Sequence, residues 1–331
     1  MESGRRRSRR RPFENVVGYP RDVRSIHRSS AFAALLFLAA FAPQSAAQNA
    51  KLDAYFTEKD GQISGSFAVA ERGTVKYRRS VGFATLENGV PQPADAGTRY
   101  RIGEVSQLFT AALVLQFAER GTITLDNRLA EFFPDEPGAI DITYRDMLRS
   151  QGESSAYNYL LLGRMLEKVA ERPLADILVR QIAGKLGLAR TYFAGSGLAQ
   201  SLEAASYHWA AEGWRPDPVA DPGTGGGASG IVSNASDLVI FMDALFAGRV
   251  VTPHSLASMR GEDGGPGIGM QPATIAGFAA FCARGAIESF ASAVCHFPDR
   301  RISIAWTGNA SRVPLDQIVE ETAQFAIKRG R

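Results

Sequence analysis

The chain has 331 residues, of which 45% are apolar and 21% charged, with 33 glycines and 16 prolines. This composition is typical of a globular protein with a sizeable core, and it excludes a disordered, collagen-like or coiled-coil chain. Residues 1–30 carry nine arginines against three acidic residues, a net charge of +6, whereas the whole chain carries only +3. Because residues 31–47 are uncharged, residues 48–331 have a net charge of −3, which argues against a nucleic-acid partner.

The first 47 residues have the pattern of a secretion signal. An arginine-rich stretch at residues 5–11 precedes the apolar run at residues 31–42, and residues 45–47 form a small-x-small cleavage site. The apolar run is shorter than the roughly 18 residues of a membrane-spanning helix. We therefore predict a signal peptide over 1–47, an exported chain that is periplasmic or secreted, and no transmembrane span after cleavage. Since this leader is unusually long, we also hypothesise that translation starts near Val23.

Hydrophobic periodicity then predicts, in chain order, a helix, strands, several helices, further strands and a last helix. Residues 66–71 and 74–81 flank the dipeptide Arg72-Gly73, a pattern that indicates a tight hairpin. Residues 105–118 are apolar on nearly every side and end at Gly121. A helix that is apolar all round must be buried all round, so we expect this helix to run through the centre of the fold.

Apolar spacing predicts two more helices at residues 161–169 and 173–182, and a third that Ser233 and Asn234 cap. Short strands are predicted around residues 266–271, 277–283, 290–296 and 301–307, followed by a final helix near residues 315–325. Strands near both ends of the chain, with helices between them, predict one sheet built from both ends around a helical insert.

The chain contains two cysteines, Cys282 and Cys295. The dipeptide Glu288-Ser289 between them suits a hairpin turn, and in that register the two cysteines face each other across the ladder. A cross-strand disulfide is sterically possible in this arrangement, and disulfides persist in exported proteins. Two free, buried thiols are the alternative, and the sequence leaves both open.

Several short segments occur in the order and spacing of a known family. They lie at residues 67–70, 82–84, 98–103, 121–134, 159–163 and 225–238. Together they resemble the penicillin-recognising serine hydrolases of the class C β-lactamase and DD-peptidase type, with their related esterases. This resemblance covers nearly the whole chain after the leader.

The resemblance implies an α/β (α+β) fold of the β-lactamase and transpeptidase type. In that fold an antiparallel sheet built from both chain ends and flanked by helices is joined to an all-helical subdomain. On this basis residues 48–331 form one β-lactamase-related domain, whose sheet part comprises about residues 48–103 and 225–331. The helical part comprises about residues 104–224, and the site lies between the two parts.

Catalysis in this family depends on a serine that an adjacent lysine activates, arranged as Ser-x-x-Lys at the start of the central helix. In this chain Glu104 stands at the serine position and Gln107 at the lysine position, and no lysine has a serine three residues before it. The positions of the family's Tyr-x-Asn pair hold Ser154, Ser155 and Ala156, and those of its Lys-Thr-Gly or His-x-Gly strand hold Ala283, Arg284 and Gly285.

Three substituted motifs predict that the acyl-enzyme chemistry of the family is absent. We hypothesise that Glu104, at the start of a buried helix where an anion is favoured, folds back onto the former oxyanion donors. A catalytic Glu104 and a displaced nucleophile at Ser106 are the alternatives, although no lysine or histidine has helical spacing to Ser106. The candidate ligand-binding residues are Glu104, Ser106, Ser154, Ser155, Tyr157 and Arg284.

The three histidines after the leader, His208, His254 and His296, have no short metal-ligand spacing, so no metal site and no cofactor are predicted. The sequence thus indicates an exported pseudoenzyme. Its expected partner is a peptidoglycan-derived peptide, a small acyl, peptide or D-amino-acid-like ligand, or a protein. Two alternatives stay open, namely a serine hydrolase with a rearranged site and a structural envelope protein.

Overall fold

Strands from both ends of the chain share one six-stranded sheet in the computed structural model, which describes residues 42–196, 202–211, 213–218, 221 and 224–327. From edge to edge the strands are β10 (Gln271–Ile275), β11 (Phe278–Ile287), β12 (Phe290–Phe297), β13 (Ile302–Ser311), β1 (Ile63–Glu71) and β2 (Thr74–Val81). Every neighbouring pair is antiparallel. The predicted α/β (α+β) class, with a sheet built from both chain ends, is confirmed.

Strand β1 lies inside the sheet and is buried on both faces. In its register with β13, Phe67 pairs with Trp306 and Ala68 pairs with Ala305. Because side chains alternate along a strand, the two aromatic residues face one hydrophobic cluster and the two alanines face the other. Large residues therefore fill one side of the sheet, and small residues on the other side let helices approach closely.

Two pairs of helices form the layers that cover the sheet. Helices α1 (Ala42–Glu58) and α10 (Leu315–Ile327) pack on the aromatic face, where the Phe56 ring stacks on Trp306 at 6.0 Å between ring centroids. Helices α2 (Val105–Glu119) and α8 (Ala235–Phe246) belong to the cluster on the opposite face. Asn234 caps α8 by accepting a hydrogen bond from the Asp237 N–H at 2.9 Å, as its sequence position predicts.

The remaining elements are short or belong to the helical part of the chain. The helices are α3 (Tyr144–Leu148), α4 (Glu153–Ala170), α5 (Leu174–Leu178), α6 (Gly184–Leu186), α7 (Gly226–Ser229) and α9 (Pro253–Met259), with a π-turn at Val179–Ala183 and a 3₁₀ turn at Leu129–Glu131. The small sheets pair β3 (Phe83–Glu87) with β4 (Val90–Pro93), β7 (Tyr207–Ala210) with β8 (Gly213–Pro216), and β9 (Ile231–Ser233) with both β5 (Tyr100–Arg101) and β6 (Tyr192–Phe193).

Helix α2 is the buried central helix that the sequence predicts. Residues 105–117 are all buried. Its polar side chains find partners inside the core, since Thr110 Oγ1 donates to the Gly227 carbonyl at 2.7 Å and Gln116 Nε2 donates to the Val250 carbonyl at 2.7 Å. A buried polar group without such a partner would cost free energy, so these bonds allow the helix to be enclosed on every side.

The predicted strand at residues 266–271 is wrong, because residues 266–270 form a loop and β10 begins only at Gln271. Ile268 and Met270 are buried and alternate with Gly267 and Gly269, which produces a strand-like pattern in the sequence. In the structure this alternation comes from packing against α2. A Cβ on Gly269 would lie 2.9 Å from the Cα of Leu108, so the loop backbone runs directly along the helix.

The two cysteines are joined by a disulfide, which decides between the alternatives left open by the sequence. Cys282 and Cys295 are directly paired in the β11–β12 ladder, and the hairpin closes at the pair Ile287 and Phe290. Both cysteines are buried in the cluster beneath α1 and α10. The turn between the strands is Glu288-Ser289, as predicted, and Glu288 adopts a left-handed φ of 57°.

The predicted signal peptide falls largely outside the described residues, which begin at residue 42. Export and cleavage after Ala47 therefore stay predictions. In the part of the chain that the structure covers, no helix combines the length and the apolar character needed to cross a bilayer.

Removal of the disulfide should destabilise the fold. The linked cysteines are 13 residues apart, and cross-linking a loop of this size contributes about 3 kcal/mol by restricting the unfolded chain. The double variant Cys282→Ala/Cys295→Ala should lose about that much unfolding free energy in urea titrations. Reductant should lower the midpoint of the wild type and leave that of the double variant unchanged. A wild-type midpoint that full reduction does not move would contradict this prediction.

Candidate functional site

The start of helix α2 lies directly against strand β11, and two glycines permit this close approach. A Cβ on Gly103, which has a φ of +53°, would lie 2.7 Å from the Ala286 nitrogen. A Cβ on Gly285 would lie 2.3 Å from the Ile102 carbonyl oxygen. Any side chain at either position would force the helix and the strand apart, so these glycines set the spacing of the site.

Glu104 fills the space between the helix and the strand. Its carboxylate Oε2 accepts a hydrogen bond from the Ala286 N–H at 2.8 Å. Its side chain makes no capping hydrogen bond to its own helix. The donor is available because the ladder with β10 ends at the pair Gln271 and Cys282, so beyond Cys282 no described strand pairs with this edge of β11. The carboxylate thus takes the place of a neighbouring strand at Ala286.

The structure brings the three substituted motifs together in one cleft of about 300 Å³. The site residues predicted from the sequence that line it are Glu104, Gln107, Ser155, Ala283 and Arg284. Gln107 Nε2 donates to Ser155 Oγ at 3.3 Å, and Ser155 Oγ donates to the Gly152 carbonyl at 2.8 Å. The family's lysine position is therefore linked to the middle position of its Tyr-x-Asn segment by a neutral hydrogen-bond chain that contains no base.

Four candidate residues lie away from this cleft. Ser106 is fully buried and its Oγ accepts a hydrogen bond from the Ile231 N–H at 3.1 Å, because a step of two residues along a helix turns it to another face. Ser154 Oγ donates to the Gln151 carbonyl at 3.1 Å, and Ala156 is exposed. The proposed binding role of Ser106 and Ser154 thus has no support from their positions.

Tyr157 is half exposed and its hydroxyl donates to Glu136 at 2.5 Å, so it also lies outside the cleft. That hydrogen bond to Glu136 raises the pKa of the Tyr157 hydroxyl. Arg284 lines the cleft, but its Nε donates to Asp316 Oδ1 on helix α10 at 2.8 Å. Its guanidinium is therefore partly neutralised by the terminal helix.

Further residues that line the cleft and were missed by the sequence analysis include Tyr159, Met270 and Gln271. Tyr159 lies four residues after Ser155 on α4, and this spacing, which places both on one helix face, was a signal available in the sequence. Its hydroxyl donates to the Leu148 carbonyl at 2.8 Å, and burial raises its pKa, so it is a proton donor and no base. Met270 ends the loop that was predicted to be a strand, and Gln271 is the first residue of β10.

A serine, a histidine and an aspartate also meet at the β7–β8 hairpin. The Ser206 hydroxyl donates to one oxygen of Asp217, and His208 Nδ1 lies 2.7 Å from the other. The carboxylate therefore separates the hydroxyl from the imidazole. In a hydrolase triad the imidazole must itself accept the serine proton, so this arrangement does not activate Ser206.

A second such group, Ser303 with Asp243 and His296, is buried in the sheet. Ser303 donates its hydroxyl proton to Asp243, while His296 Nδ1 contacts both side chains at 2.9 Å and 3.4 Å. Here Ser303 and Asp243 both contact Nδ1 of His296. In a hydrolase triad the serine and the carboxylate contact different nitrogens of the histidine ring, so this group is not such a triad. Among the described side chains, no group of three or more His, Cys, Asp or Glu is arranged to hold a metal ion.

The fold and the cleft at the junction of α2 and β11 define a protein of the serine β-lactamase-related class. A sequence profile of the beta-lactamase family matches residues 52–326, and the chain belongs to this family. Among curated proteins it is similar to esterase EstB of Burkholderia gladioli, with 34% identity over 106 residues. That match covers 31% of this chain and spans only about a quarter (26%) of the esterase.

Solved structures share the fold over most of the chain. The D-amino acid amidase of Ochrobactrum anthropi SV3, complexed with L-phenylalanine amide, superposes with a TM-score of 0.71 at 20% identity, covering 86% of this chain and 97% of the amidase. FmtA of Staphylococcus aureus gives a TM-score of 0.71 at 16% identity, covering 86% of this chain and 90% of FmtA. At these identities the comparison demonstrates a common fold.

The hydrogen bond between Glu104 and Ala286 should stabilise the native state. Glu104→Ala removes a charged acceptor from a backbone N–H, and we expect unfolding in urea to lose about 1 kcal/mol. Glu104→Gln keeps an acceptor and should lose less. Glu87→Ala is the matched control, since Glu87 is exposed and its side chain makes no hydrogen bond or ion pair with the residues that the structure describes. Equal unfolding free energies for Glu104→Ala and Glu87→Ala would refute a stabilising role.

Proposed function

We propose that this protein is a ligand-binding member of the beta-lactamase family that forms no acyl-enzyme. One observation carries this proposal, namely the carboxylate of Glu104 hydrogen-bonded to the Ala286 N–H where the family places its serine and an oxyanion donor. A serine-dependent enzyme needs that N–H free to stabilise a developing negative charge. A carboxylate bound there brings a permanent negative charge to the same point and opposes the transition state.

The surroundings of Glu104 support the loss of acylation. Gln107 offers an amide in place of an amine, and no lysine or histidine lines the cleft within the described residues. The nearest serine along the helix, Ser106, is buried and accepts a backbone hydrogen bond. A serine hydroxyl is a poor nucleophile unless a base takes its proton, so none of the described cleft residues supplies the missing pair.

We further propose that the ligand is a short cell-wall peptide or a D-amino-acid-like molecule with a free amino group. The cleft of about 300 Å³ is of the size that holds one or two amino-acid residues. The carboxylate of Glu104 attracts an ammonium group, and the edge of β11 beyond Cys282 can pair with an extended peptide. The predicted signal peptide, if functional, delivers the protein to the compartment where such peptides occur.

A hydrolase with a rearranged site is the second candidate, because the similar proteins named above are an amidase and an esterase. In this alternative Glu104 acts as a base for water, or a serine near the cleft acts as nucleophile after rearrangement. The structural envelope protein is the third. Covalent labelling and ligand binding, measured on the same preparation, separate the three.

Covalent labelling tests the absence of a serine nucleophile. Purified protein is incubated with a serine-reactive fluorophosphonate and with a chromogenic cephalosporin, and its intact mass is measured. We expect no added mass and no hydrolysis above the buffer rate, since the cleft lacks a hydroxyl paired with a base. A Ser-x-x-Lys β-lactamase treated in parallel is the positive control. A stoichiometric adduct would establish the hydrolase, and peptide mapping would identify its serine.

Ligand binding is tested with D-alanyl-D-alanine against its N-acetylated form by isothermal titration calorimetry. The free amine should bind more tightly because Glu104 supplies the only carboxylate lining the cleft among the described residues. Glu104→Gln should weaken the free-amine peptide about tenfold, the equivalent of one charge-assisted hydrogen bond, and leave the acetylated form unchanged. If neither peptide binds and no covalent adduct forms, the results would favour the structural envelope protein.

A further inference from the structure

A cavity of about 660 Å³ lies outside the cleft and shares no lining residue with it. It forms where the β1–β2 turn, the β12–β13 turn and the end of helix α8 meet. The two turns are tied together by a hydrogen bond from the Arg72 N–H to the Arg301 carbonyl at 3.1 Å. Arg249 follows α8 and places its Nη2 atom 3.8 Å from the position of a Cβ on Gly73. Three separate elements thus each bring one arginine to the same cavity.

The three arginines, Arg72, Arg249 and Arg301, are exposed at the cavity and make no ion pair within the described part of the chain. Four other arginines, Arg145, Arg149, Arg260 and Arg284, each contact a carboxylate within 3.0 Å. Three uncompensated guanidinium groups around one cavity produce a positive potential that attracts anions.

Asp243 is the one carboxylate among the described lining residues, and it does not neutralise the arginines. Its Oδ2 accepts the Gly73 N–H at 2.7 Å and its Oδ1 accepts the Ser303 hydroxyl. Burial by itself raises the pKa of Asp243, but the hydrogen bonds from His296, Ser303 and Gly73 outweigh it and hold the pKa below the ordinary value. The carboxylate is ionised, yet it is turned into the protein and occupied by these donors.

His296 and Phe246 provide an aromatic wall. Their rings are stacked with centroids 4.0 Å apart, and both residues line the cavity. The Nδ1 atom of His296 is engaged by Ser303, at 2.9 Å, which fixes the orientation of the ring. The cavity therefore combines exposed positive side chains with an aromatic wall whose histidine ring is held by a hydrogen bond.

We propose that this cavity binds a phosphate group, as inorganic phosphate or as a phosphate monoester, through the guanidinium groups of Arg72, Arg249 and Arg301. The planar fork of arginine matches phosphate oxygens in bidentate geometry. A tetrahedral group presents oxygens to three guanidinium groups at once, whereas a carboxylate has only two oxygens. The volume exceeds that of phosphate alone, so the organic part of an ester has room against Phe246 and His296.

The proposal is tested by titrating the full chain with inorganic phosphate, phenyl phosphate and acetate at constant ionic strength, in calorimetry and in thermal melts. Both phosphates should bind and raise the melting temperature, and acetate should bind at least tenfold more weakly. Arg249→Gln and Arg301→Gln should each weaken phosphate about tenfold, as expected for loss of one charge-assisted interaction. Phenyl phosphate binding more tightly than phosphate identifies an ester ligand, and equal binding identifies phosphate itself.

Arg172→Gln is the matched control, because Arg172 is exposed and lies outside the cavity. This substitution changes the net charge of the protein by the same amount as Arg249→Gln or Arg301→Gln. The Arg172→Gln variant should bind phosphate as the wild type does. Failure of phosphate to stabilise the protein beyond chloride, or an equal loss of binding in Arg172→Gln, would overturn the proposal. Glu104→Ala should leave phosphate binding intact, so this test is independent of the function proposed for the cleft.

Discussion

The close contact between the start of helix α2 and the edge of strand β11 is the constraint on which the site depends. Gly103 and Gly285 remove the side chains that would otherwise separate these elements, and the Ala286 N–H then points into the gap. In a family of serine hydrolases such a gap places a nucleophile beside an oxyanion donor. Here the same geometry places the Glu104 carboxylate against that N–H, so the backbone arrangement carries a different side chain at this point.

Fold and catalysis in this family rest on different groups. The fold depends on buried apolar faces, on the glycines that allow close packing and on backbone pairing across the six-stranded sheet. Catalysis in the family depends on a few side chains at the end of that scaffold. Glu104 and Gln107 stand at the family's serine and lysine positions, and both line the cleft. A protein can therefore keep the architecture of an enzyme without its reaction.

Charge is distributed unevenly between the two cavities. The cleft presents Glu104 beside Arg284, whose own partner Asp316 lies on the terminal helix. The second cavity presents three arginines around Asp243, whose oxygens are occupied by Gly73 and Ser303. The second cavity is net positive because its three guanidinium groups outnumber the single carboxylate of Asp243 among the described lining residues. A cationic ligand suits the first site and an anionic ligand the second.

The amino-acid sequence by itself determined the class of the fold, the buried helix α2, the first hairpin and the register of the two cysteines, because each depends on local periodicity or turn chemistry. It also identified Glu104, Gln107, Ser155, Ala283 and Arg284 as neighbours, through their positions relative to recognisable segments. Only the tertiary structure decided that the alternation at residues 266–270 reflects a loop packed on α2, and that the cysteines are bonded. Only the tertiary structure gathered Arg72, Arg249 and Arg301, since contacts between distant segments leave no periodic trace in the chain.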